Sequence, residues 1–105
     1  MEKEEVKAFE FYKKSADQGY LDAQFELGYC HDKGIGTVIN REIAFELYKM
    51  AANKGHNIAQ YNLGNLYQHG KGNKKDEVKA FEYYKKSAEN GNAEAKFVVQ
   101  NWKYD

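Results

Sequence analysis

Two neighbouring residues, Cys30 and His31, are the types that make a thiolate nucleophile with its base, or a pair of metal ligands. Adjacent helical positions point about 100° apart, and His56 and His69 lack the paired spacing of a zinc site, so the pair serves neither purpose. Cys30 stands where Leu66 and Trp102 stand one and two periods later, which predicts a small buried hydrophobe. Glu10, Glu46 and Glu82 offer carboxylates for acid–base work. Paired catalytic carboxylates must face each other within about 10 Å. These three are set one per repeating unit, so a solvated ladder is expected. Gly34-Ile35-Gly36 and Gly70-Lys71-Gly72 invite a phosphate-loop reading, but Lys71 is followed by Gly72 rather than Ser or Thr, and no strand pattern precedes either. The same glycines recur at a fixed period, which predicts repeat-closing turns. No catalytic residue, cofactor site or metal site is expected, and the chain reads as a binding protein rather than an enzyme.

The period that separates these residues is 36. Shifting the sequence by that amount aligns Ala8, Ala44 and Ala80, then Gly19, Gly55 and Gly91, then Ala23, Ala59 and Ala95, without a gap. Between Glu5–Phe25 and Glu77–Phe97, 14 of 21 positions are identical, and residues 5–40 share 13 of 36 with residues 41–76, which rules out chance. A period of this length marks stacked supersecondary units, none of which hides its apolar side alone. The expected units are 5–40, 41–76 and a truncated 77–105, forming one domain.

Within a unit, Ala8, Phe9, Phe11, Tyr12, Ser15 and Ala16 follow the rhythm of one helical face and predict a first helix over roughly 5–18. Gly19 ends it, in the position where a left-handed residue commonly stops a helix. Ala23, Leu27, Gly28 and Cys30, echoed by Ala59, Leu63, Gly64 and Leu66, predict a second helix over roughly 21–33. Asn40, Asp76 and Asn92 precede helices and are expected N-caps. A small residue repeated as faithfully as the large ones lets two helix backbones approach closely, so the pattern specifies packing between helices.

These residues resemble the Sel-one-like repeat, a relative of the tetratricopeptide repeat. The resemblance rests on Lys7-Ala8-Phe9-Glu10-Phe11-Tyr12-Lys13-Lys14-Ser15-Ala16-Asp17-Gln18-Gly19, on Ala23-Gln24-Phe25-Glu26-Leu27-Gly28 with Gly34-Ile35-Gly36, and on Ala59-Gln60-Tyr61-Asn62-Leu63-Gly64-Asn65-Leu66-Tyr67 with Gly70-Lys71-Gly72. It implies an all-α, right-handed α-solenoid of about six antiparallel helices, with an inner surface lined mainly by first helices that holds peptides or folded partners. It also implies adaptor and scaffold roles, or a regulatory tail on a larger enzyme such as a protein kinase. The chain departs from the pattern in the third unit, where Val99-Gln100 replaces Leu-Gly, and at Tyr20 and His56, which replace the usual acidic cap.

Composition narrows the partner. Lys plus Arg (16) equals Asp plus Glu (16), so no field steers the chain to phosphate backbones or an anionic membrane. An RNA-binding helical repeat would need a continuous basic and aromatic track, which balanced charge argues against. A single cysteine and the absence of a leading signal-like segment point to a reducing, cytoplasmic setting, and no run approaches the length of a membrane span. A protein or peptide partner is expected. The middle unit carries Ile43, Leu47 and Met50 where the others carry Lys7 and Lys79, Phe11 and Tyr83, and Lys14 and Lys86. Spaced four and three apart, they form an apolar stripe on one flank of the first helix. The stripe either buries against neighbours or serves as a partner's floor, with Glu10, Lys14, Glu46, Glu82 and Lys86 around it. Phe97-Val98-Val99 with Trp102 and Tyr104 forms a second apolar segment that a following unit or a second copy of the chain would cover.

Overall fold

A computed structural model describes residues 1–103. It contains six helices: α1 Lys3–Asp17, α2 Leu21–Lys33, α3 Arg41–Asn53, α4 Asn57–His69, α5 Glu77–Glu89 and α6 Ala93–Gln100. Each helix packs on the next in sequence order, giving an elongated all-α solenoid of 42 × 23 × 18 Å. Contact is most extensive across the long loops, α2 on α3 and α4 on α5, and less so across the short turns.

The helix boundaries follow local chemistry. Asn40, Asp76 and Asn92 each accept a hydrogen bond from the backbone N–H three residues on, as expected of N-caps. His56 does the same: its Nδ1 accepts from the Ala59 N–H while Nε2 lies 3.3 Å from Asp22, which puts the ring proton on Nε2. The imidazole thus takes over the acidic cap's work. Tyr20, its counterpart, makes no side-chain cap bond.

The long loops are anchored at fixed places. Gly70 adopts a left-handed conformation that ends α4. Two residues on, Gly72 lies against the carbonyl of Arg41, where a Cβ would overlap the oxygen; Gly36 meets Glu5 in the same way. The second glycine of each Gly-x-Gly therefore clamps the loop onto the start of its own unit's first helix, as a turn rather than a phosphate cradle.

The core runs along the stack axis through Phe25, Ala44, Phe45, Tyr48, Ala51, Leu63, Leu66, Tyr67, Ala80 and Tyr84. A smaller cluster of Ala16, Ala23 and Leu27 lies at the α1 end. Cys30 is buried, as expected of a hydrophobe, and burial followed by the negative charges of Glu26 and Glu5 pushes its thiol pKa up, away from reactivity. Ring contacts repeat with the period: Phe9 meets His31 edge-on at 5.3 Å, and Phe45 meets Tyr67 edge-on at 5.2 Å.

Candidate functional site: a polar hollow between the second helices

The junction between units explains the repeated glycine. Tyr48 of α3 lies flat on Gly28 of α2, and Tyr84 of α5 on Gly64 of α4; a Cβ on either glycine would stand 3.0 Å and 2.9 Å from the ring. The two rings are 0% and 1% exposed. Their hydroxyls bond polar side chains of the second helices. Tyr48 donates to Asp32 Oδ2 at 3.0 Å. Tyr84 donates to Asn65 Oδ1, with Gln68 Oε1 2.8 Å away.

These bonds hold polar side chains at the rim of a cavity of about 420 Å³ between α2 and α4. Tyr29, Asp32 and Lys33 line it from α2, Asn62, Asn65, Leu66 and His69 from α4, and Lys71 from the loop. Asp32 is buried and paired with Arg41 Nε at 3.2 Å, which ties the end of α2 to the start of α3. Burial first, then the neighbouring Asp32 carboxylate, drives the Tyr48 pKa far above its ordinary value; burial does the same for Tyr84. Both phenols stay protonated and remain donors. The hollow presents two side-chain amides, two ammonium groups, the Asp32 carboxylate, the His69 imidazole and an aromatic edge, a set suited to hydrogen-bonding a polypeptide. Among the described residues no group of three His, Cys, Asp or Glu side chains is placed to hold a metal.

The residues anticipated for binding lie elsewhere. Glu10 and Lys14 on α1, Glu46 on α3, and Glu82 and Lys86 on α5 are all exposed at repeating positions of the first helices. Lys86 Nζ sits 4.9 Å over the Tyr83 ring. The apolar stripe splits. Leu47 sinks against Ala16, Ala23 and Leu27 and borders Gly28, so it belongs to the junction. Ile43 and Met50 stay 41% and 47% exposed. None of the eight lines the hollow, which faces out between second helices rather than first ones. In the C-terminal segment, Val98, Val99 and Trp102 pack on the core while Phe97 is 68% exposed; Tyr104 lies outside the described residues.

The sequence model of the Sel1 repeat matches residues 1–20, 21–56 and 57–92. The chain belongs to the Sel1 repeat family. The family's frame has the same 36-residue length as the period found here and starts at the second helix, so each matched unit pairs α2 with α3 or α4 with α5, the pairs in most extensive contact. No curated protein matches the chain. A Sel1 repeat protein from Oxalobacter formigenes is 38% identical, with a TM-score of 0.84 over 89% of this chain and 70% of that one. A protective antigen present in uropathogenic Escherichia coli strains, displaying an SLR fold, is 33% identical with a TM-score of 0.83. That match covers 86% of this chain and 19% of the antigen. Helicobacter pylori cysteine rich protein B shares the fold at 21% identity and a TM-score of 0.79, over 86% of this chain and 68% of its own. Sel1 repeats are of the protein-interaction scaffold type, without catalysis of their own. Among the described residues no helix is long and apolar enough to cross a membrane.

Proposed function

We propose that this chain is a protein-interaction scaffold that takes an extended segment of a partner polypeptide along the hollow between α2 and α4. The observation that carries this reading is the pair of half-buried amides at the hollow, Asn62 and Asn65, the second of them held in place by the hydroxyl of the stacking Tyr84. A side-chain amide both donates and accepts, so it matches the N–H and C=O of a peptide backbone regardless of sequence. Preorganisation by a buried bond spares part of the ordering cost on binding. Lys33 and Lys71 flank the hollow and favour an acidic or C-terminal carboxylate in the segment. The lone buried thiol of Cys30 supports a reducing, cytoplasmic setting.

Panning a random peptide display library on the chain tests the reading. Enriched peptides should bind the Asn62→Ala variant at least about tenfold more weakly, with little change in its melting temperature. Equal binding by the variant, or no enrichment, contradicts it.

A second reading is favoured by the exposure of Ile43 and Met50 on α3. The first-helix surface, with Ile43, Leu47 and Met50 as an apolar floor and Glu10, Lys14, Glu46, Glu82 and Lys86 around it, would then take a folded partner. Met50→Glu should abolish such binding while leaving peptide capture at the hollow intact.

A further inference from the structure

The short turn inside each unit carries a glycine at the same place, Gly19, Gly55 and Gly91, with φ of 91°, 89° and 97°. A residue with a side chain is strained there, so the position is reserved for glycine. The residue before it has a separate task. Gln60 of α4 is 4% exposed, and its Nε2 donates to the Ala52 carbonyl at 3.1 Å, which fixes the amide and leaves Oε1 in need of a donor. Asn90 supplies it from the next unit: its Nδ2 donates to Gln60 Oε1 at 3.0 Å. One unit earlier Lys54 fills the same role, its Nζ donating to Gln24 Oε1 at 3.2 Å.

Two structural demands thus put asparagine directly before glycine at 90–91, the single Asn-Gly pair in the chain. The side-chain amide carbon of asparagine is an electrophile, and a following glycine leaves its backbone nitrogen unshielded for attack on that carbon. Both residues are exposed to water. In the closed turn the Gly91 N–H donates to the Ala88 carbonyl at 3.0 Å and Gln60 holds the Asn90 amide, so the reaction waits on a local opening.

We propose that Asn90 is a site of spontaneous deamidation, with water as the co-reactant, and that the modification loosens the α5–α6 hairpin on α4. The Gly91 nitrogen attacks Asn90 Cγ. The N–Cγ bond forms, the Cγ–Nδ2 bond breaks, and ammonia leaves with the proton from the Gly91 nitrogen. Water then opens the cyclic imide at either carbonyl, giving aspartate or isoaspartate at 90, with no change of oxidation state.

The product turns the contact with Gln60 from attraction to repulsion. An ionised carboxylate at 90 has no proton to give, so Gln60 Oε1 faces a second acceptor. Rotating the Gln60 amide repairs that contact only by aiming its oxygen at the Ala52 carbonyl, so an acceptor loses its donor in either orientation. The new charge also stands at the C-terminal end of α5, where the helix dipole disfavours an anion. Ser87, which donates at 2.6 Å to the Asn57 carbonyl, still ties the hairpin to α4, so the junction weakens without parting. None of these residues lines the hollow, and the inference is independent of the peptide-binding reading.

The test ages the full chain at mildly alkaline pH and maps it by proteolysis and mass spectrometry, with aspartate and isoaspartate separated by chromatography. Both products are expected at position 90 ahead of Asn65, Asn73 and Asn101, and more slowly than in a free peptide of residues 86–96. Amide hydrogen exchange of α6 reads the consequence: Asn90→Asp should speed it about tenfold. Asn90→Lys, which copies Lys54, should abolish modification at 90 and keep the native exchange rate. Asn90 remaining intact while other asparagines react would overturn the site, and a folded chain reacting as fast as the peptide would overturn its protection by the closed turn. Unchanged α6 exchange in Asn90→Asp would overturn the loosening.

Discussion

The Tyr48 hydroxyl reaches across a unit boundary to donate to Asp32 at 3.0 Å, while its ring fills the space that the missing side chain of Gly28 leaves. One residue thus fastens two units and orients the polar rim of the hollow. The Asp32 carboxylate is buried and would otherwise rely on Arg41, 3.2 Å away, with Lys33 at 3.9 Å. Replacing Tyr48 with Phe keeps the packing and removes one donor from a buried acceptor. We expect a loss of about 1–3 kcal/mol in urea unfolding. Tyr84→Phe should cost about 0.5–1.5 kcal/mol, because its partners Asn65 and Gln68 are only half-buried and water can replace the phenol.

Gly64→Ala reverses the usual helix rule. In an open helix interior alanine gains about 0.5–1 kcal/mol over glycine. Here the new methyl group would stand 2.9 Å from the Tyr84 ring, and overpacking of this kind costs about 1–3 kcal/mol. A net lowering of the unfolding midpoint is expected. A stabilised variant would show that the ring moves aside freely.

Leu63 is fully buried between units, and Leu63→Ala should destabilise the chain by about 2–5 kcal/mol. Met50→Glu, on the exposed flank of α3, should change stability by no more than about 0.5 kcal/mol. Thermal melts of the two variants side by side check the contrast.

Stability should fall at both ends of the pH range. The folded chain raises the pKa values of Tyr48 and Tyr84 above 10.0, mainly through burial, so their contribution is complete below that pH and is lost as pH rises through it toward the folded values. Burial, and then Lys13, lowers the pKa of His31 below 6.5. Its contribution is present above 6.5 and is lost as pH falls through the folded value. Unfolding free energies should therefore hold a plateau between about pH 7 and 9. Tyr48→Phe should flatten the alkaline limb.

The fold was legible because its signals are local and periodic. The 36-residue shift, the Asn40, Asp76 and Asn92 caps and the Gly-x-Gly turns each depend on neighbours close in sequence, and each took the expected place. The His56 cap was missed because it depends on a ring nitrogen accepting a bond, a role its residue type does not advertise. The hollow was missed for a different reason. It assembles Tyr29, Asp32, Asn62 and Asn65 from two units through tyrosines of two more helices, and no single helical face displays it. One signal was available: Asp32 and Gln68 lie one turn beyond Gly28 and Gly64, so a polar group sits on the face reserved for close packing. The apolar stripe left burial and exposure both open, and its residues divide, because Leu47 shares a flank with Ile43 and Met50 but lies nearer the junction.

An amide shift map of the labelled chain with a library-selected peptide tests the scaffold reading most directly. The account predicts the largest changes at Tyr29, Asn62 and Asn65, those at Asn65 reduced by Tyr84→Phe. Changes centred on Ile43, Glu46 and Met50, with the hollow silent, would contradict it.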